Sequence, residues 1–187
     1  MIKVVCMGDS ITEGFGVEIS ESYPSVLQNL LGEEYRVVNK GVCCTTTLNV
    51  ENEKGVMGIP YMREARYKEA LQEKGDIYVV LLGTNDAQDG MDDTQDFKYE
   101  QNDMISRKAD FVPCYRQILQ AVKAASPGAV IYAGLPIPVQ KCIWRKHQEN
   151  YLKEIRVCIK EAAAAEGVPL LDIEGAFAAL PKEEQLK

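Results

Sequence analysis

Short apolar runs rich in Val, Ile and Leu alternate along this chain with longer stretches of helical period, and that rhythm restricts what it can fold into. Strand–helix–strand units laid round a parallel sheet are the architecture that answers it. The pattern predicts strands near 2–7, 35–39, 76–82, 129–135 and 168–173. A helix starting around Tyr23-Pro24 places Val26, Leu27, Leu30 and Leu31 on an inward stripe before Gly32 stops it. Another starts at Pro113 and carries Tyr115, Ile118, Leu119 and Val122 inward until Ser126-Pro127-Gly128 closes it. The longest runs from about Arg145 to Glu166, with Tyr151, Ile155, Cys158, Ile159 and Ala162 on one face and Gly167 as its cap. Residues 89–110 form a strongly acidic polar stretch without the D-x-D-x-D-G order of a calcium loop, and read as a solvated loop. With no internal repeat and no linker, 187 residues suit one domain, 1–187.

Charge narrows the range of partners. Asp and Glu number 28 against 21 Lys and Arg, a formal charge of −7 that repels a phosphate backbone, so nucleic acid is not an expected partner. No apolar run approaches a membrane span, and the N-terminus reads as a first strand and not as a signal peptide, so a cytoplasmic location is expected. The six cysteines include no C-x-x-C pair and read as reduced thiols. With a single histidine, the chain lacks the usual zinc ligand spacings, and no metal or other cofactor is expected.

Three polar clusters fall at the carboxyl ends of the first three predicted strands: Gly8-Asp9-Ser10, Asn39-Lys40-Gly41 and Gly83-Thr84-Asn85-Asp86. That edge of an open α/β sheet is where ligands bind. Each cluster alone is ordinary turn and capping chemistry. In this order and at these strand ends they resemble the three leading blocks of the SGNH hydrolases, also called the GDSL esterase and lipase family. The segments Gly41-Val42-Cys43-Cys44-Thr45-Thr46 and Tyr67-Lys68-Glu69-Ala70-Leu71 resemble its acylhydrolase and carbohydrate-acetylesterase branch.

The resemblance implies a three-layer flavodoxin-like fold, with a five-stranded parallel sheet of order 2-1-3-4-5 and helices on both faces. It implies hydrolysis of a small acyl or acetyl ester, such as that of an acetylated carbohydrate, through an acyl-enzyme. Ser10 would be the nucleophile. The backbone N–H of Ser10, the backbone N–H of Gly41 and the side-chain amide of Asn85 would meet the oxyanion. Asp9 and Asp86 read as orienting and capping groups.

Two places depart from the family pattern. A second glycine is expected three residues after Gly41, where Cys44 stands and implies a tighter loop or a smaller acyl pocket. The final Asp-x-x-His block, which supplies the base, occurs nowhere in these residues, and His147 reads as a pocket-wall or surface residue. The resemblance therefore implies a domain truncated at its C-terminus. The alternative is a catalytically silent relative that binds esters or sugars. Loss of the closing helix would bare apolar surface around the last strand and the Val26–Leu30 stripe, so a homodimer is expected.

Overall fold

The computed structural model describes residues 1–49, 58–87, 108–139 and 148–185. The readings of the acidic stretch up to residue 107, of Cys142 and of His147 concern residues outside these. Strand β1 (Ile2–Gly8) sits between β2 (Tyr35–Gly41) and β5 (Ile77–Leu81), with β6 (Val130–Gly134) and β7 (Leu170–Leu171) beyond, all parallel. Counted along this sheet the order is 2-1-3-4-5. A second, two-stranded sheet pairs β3 (Thr45–Thr46) with β4 (Ile59–Pro60), a feature the sequence pattern does not announce.

Apolar residues on both sides of β1 explain its central place. Val5 and Met7 join Tyr78, Val80, Ile131 and Ala133 under a face covered by α3 (Ala65–Gln72), α4 (Lys108–Ala125) and α5 (Gln148–Glu166). Val4, Cys6 and Val79 face the other way, onto Tyr23, Leu27 and Leu31 of α2 (Tyr23–Leu31). On that same side Ile173 of α6 (Ile173–Ala178) lies over Gly134 beside Leu81. A last short helix, α7 (Lys182–Gln185), closes the described chain.

Two helix readings need correction. In α2 the inward row is Tyr23, Leu27 and Leu31 at i, i+4 and i+8, whereas Val26 and Leu30 fall on the adjacent row and are 43% and 79% exposed. Helix α4 begins at Lys108 and takes Pro113 into its interior. Phe111 draws that first turn inward, buried and stacked on Tyr115 at 5.7 Å. Among the described residues no helix is long and apolar enough to cross a membrane.

Candidate active site

The sheet register assembles the three polar clusters. Gly8, the last residue of β1, is in register with Gly41 at the end of β2 and with Leu81 at the end of β5. The residues that follow each of them, Ser10 and Asn85 included, therefore leave one edge of the sheet together.

Beyond Gly8 the chain turns at once into α1 (Ser10–Glu13), capped by Asp9, whose Oδ1 accepts from Ile11 N at 3.0 Å. Half-buried Ser10 is the first residue of that turn. Gly14 ends it in the left-handed conformation, φ 88°, its N–H returning to Ser10 O at 3.0 Å. Thr12 is packed so tightly under Gly8 that a Cβ there would come within 2.0 Å of Thr12 Oγ1.

Gly41 is required by a neighbouring backbone. A Cβ on it would lie 2.2 Å from Glu13 N and 2.6 Å from Thr12 C, so α1 rests directly on the end of β2. Its N–H donates to Asn39 Oδ1 at 2.9 Å, while Asn39 Nδ2 donates to Thr12 O at 2.8 Å and Glu13 O at 3.3 Å. One carboxamide thus staples the helix bearing Ser10 to the strand bearing Gly41. To meet an oxyanion, the Gly41 hydrogen must be shared with Asn39 or turned from it. Sequence reading missed this role of Asn39, although an amide two residues before the glycine was its visible signal.

Lys40 between them is no substrate group. Its Nζ is held by Glu69 Oε2 and Glu73 Oε1, each at 3.1 Å, and with Lys3 it keeps the Glu73 carboxyl below its ordinary range. Its carbonyl accepts from the buried Tyr61 hydroxyl at 2.6 Å.

The third cluster works on the loop after β2. Asn85 Nδ2 donates to Thr45 O at 2.9 Å, and Asp86 accepts from Thr47 N and Leu48 N, both at 2.9 Å. Those bonds moderate the effect of full burial, which still pushes Asp86 up to about 6. Burial pushes Asp9 up to about 7, against the bond from Ile11 N, and the Asp86 charge adds to the rise. Asp9 Oδ2 is buried as well, and desolvation of that kind favours the protonated carboxyl. Asp9 caps and Asp86 orients, the roles expected of them.

Among the described residues no three His, Cys, Asp or Glu side chains are grouped to hold an ion. None of those residues is a histidine, since His147 lies outside them.

The chain is 35% identical over 178 residues to an acetylxylan esterase of Xylanibacter ruminicola; the match takes in 92% of this chain but 36% of that protein, so the chain spans about a third of the relative's length. Among solved structures it superposes on a lipase/acylhydrolase from Enterococcus faecalis with a TM-score of 0.61 at 24% identity, covering 97% of this chain and 80% of that one. It also superposes on a carbohydrate acetylesterase family member from Sinorhizobium meliloti, with a TM-score of 0.68 at 18% identity, covering 92% and 83%. These structures share its fold. The model of the GDSL-like lipase/acylhydrolase family matches residues 6–186, and the chain therefore belongs to that family of ester hydrolases, the SGNH hydrolases.

Proposed function

We propose that this chain carries a serine-centred site for hydrolysing a carboxylic ester of a small acyl group, with an acetyl group on a carbohydrate as the substrate class. The observation that carries the reading is the register of Gly8 with Gly41 and Leu81, which delivers the three family blocks to one sheet edge. The acetylxylan esterase relative supports the choice of substrate. Ser10 is the nucleophile: its hydroxyl oxygen attacks the carbonyl carbon, the alcohol leaves, and water then releases the acid from the acyl-enzyme. The developing oxyanion is met by the N–H of Ser10, the N–H of Gly41 and the amide of Asn85, which Thr45 O orients.

A serine hydroxyl needs a base, and loss of the histidine from a serine triad costs on the order of a millionfold in turnover. The one imidazole in these 187 residues is His147. The decisive experiment measures hydrolysis of p-nitrophenyl acetate and of acetylated xylo-oligosaccharides by the parent and by Ser10→Ala, Asn85→Ala and His147→Ala. Loss of all turnover in Ser10→Ala, with a drop of about a hundred- to a thousandfold in Asn85→Ala, supports the reading. Parent-like turnover in Ser10→Ala refutes Ser10 as the nucleophile, and a parent that binds acetylated xylo-oligosaccharides without turnover leaves the ester- or sugar-binding alternative. Unchanged turnover in His147→Ala excludes that residue as the base.

A further inference from the structure

Cys43 and Cys44 stand side by side in the loop between Gly41 and Thr45, whose carbonyl holds the Asn85 amide, and they form a pair that adjacent residues do not ordinarily make. Successive side chains of an extended chain point to opposite sides. Here Cys44 is left-handed, φ 62°, a conformation a side chain enters at a cost and a glycine enters freely. That turn swings the second thiol back onto the side of the first, and the two sulfurs lie 3.3 Å apart. It also accounts for the glycine that the family resemblance leads one to expect at position 44.

The backbone on either side is anchored. Cys43 N donates to Glu13 Oε2 at 2.8 Å, Cys44 O accepts from Ile59 N at 3.1 Å, and Thr45 Oγ1 donates to Val42 O at 2.8 Å. Both residues are partly exposed thiols. Burial, the neighbouring thiol and Glu13 push Cys43 up to about 11, so that thiol is protonated at neutral pH.

The geometry discriminates among ligands for two such sulfurs. A disulfide is poorly served, because neighbouring Cα atoms are about 3.8 Å apart and relaxed disulfides want about 4.4–6.8 Å. Zinc wants four ligands, and the described residues offer no third group to join the pair. A trivalent centre that takes two sulfurs at a narrow angle fits.

We propose that Cys43 and Cys44 form a preorganised vicinal dithiol site for trivalent, thiol-seeking ligands of the organoarsenic(III) class, and that its occupation disturbs the oxyanion donors Gly41 and Asn85. With an arsenoxide, two S–As bonds form and the As=O bond breaks. The two thiol protons leave with the oxygen as water, and no oxidation state changes. Coupling to the donors follows from chain position: Gly41 lies two residues before the pair, and Thr45, whose carbonyl holds the Asn85 amide, lies one residue after it. That second consequence rests on the proposed ester hydrolysis, whereas binding itself does not.

The test uses the folded, reduced 187-residue chain and phenylarsine oxide, read by intact-protein mass. One adduct per chain is expected, removed by dithiothreitol and persisting in excess 2-mercaptoethanol. It is lost in Cys43→Ser, Cys44→Ser and Cys44→Gly, the last of which also relaxes the backbone and so guards against misfolding. Cys114→Ser, Cys142→Ser and Cys158→Ser retain it. No adduct on the parent, or an adduct that survives in either Cys43→Ser or Cys44→Gly, overturns the site. Ester hydrolysis should fall about a hundredfold as the adduct forms, and undiminished turnover by the adduct overturns the coupling. A parent without hydrolysis counts against the proposed function, while the mass readout still decides the thiol site.

Discussion

At the scale of single residues, the site is built from groups whose packing leaves little freedom. Gly41 is a proposed oxyanion donor, yet the atoms that crowd its Cα belong to Thr12 and Glu13 of α1. Gly41→Ala should cost about 3 kcal/mol, since the obstruction is backbone and cannot turn aside, and should displace Ser10 with α1. Urea unfolding and turnover of the same variant check both, and a stability within about 0.5 kcal/mol of the parent would show that α1 yields. Asp9 and Asp86 make a second residue-scale prediction. Their folded values, about 7 and about 6, lie above the ordinary 3.8, so the folded chain holds these protons where the unfolded chain has released them. Their contribution to stability is complete below about pH 4 and lost as pH rises through about 6 to 7. Unfolding free energies measured across that range should fall with rising pH, and Asp9→Asn should flatten the fall. Parallel profiles for parent and variant would remove Asp9 as the source.

At the scale of elements, what matters is how separate segments are tied to one another, and Arg156 does this for three of them. Buried in α5, it donates from Nε to Pro136 O at 2.8 Å and pairs through Nη1 with Glu149 Oε1 at 2.8 Å and Glu174 Oε1 at 3.1 Å. Glu149 Oε2 in turn accepts from Val139 N at 3.0 Å. One guanidinium therefore joins α5, α6 and the segment after β6. The helical pattern places position 156 beside the buried stripe without revealing that a charge is wanted there. Arg156→Ala should destabilise the fold by about 3 kcal/mol, because it leaves two carboxylates and a carbonyl without their partner. Chemical denaturation measures this, and a loss below about 1 kcal/mol would mean water replaces the guanidinium.

At the scale of the whole molecule the two faces of the sheet are unequal. Three helices and the larger apolar cluster cover one, while the smaller cluster of Val4, Cys6 and Val79 lies under α2 on the other. At the β7 edge Leu170 and Leu171 are 40% and 39% exposed. Native-state hydrogen exchange should therefore be slowest in β1 and β5, which are paired on both sides, and faster by orders of magnitude in β7 and α6. Equal protection across the sheet would show that it opens as one unit.

The sequence by itself determined the strand–helix alternation and the clusters that end three strands, because period and composition are properties of neighbouring residues, while the strand order came only with the family resemblance those clusters carry. Tertiary structure alone decided which row of α2 faces inward, that Thr45–Thr46 pairs with Ile59–Pro60, that Asn39 bridges α1 and β2, and that the Cys43 and Cys44 thiols meet. Each of these depends on a partner distant in the chain or on a backbone angle imposed from outside, and the letters at one position carry no record of either.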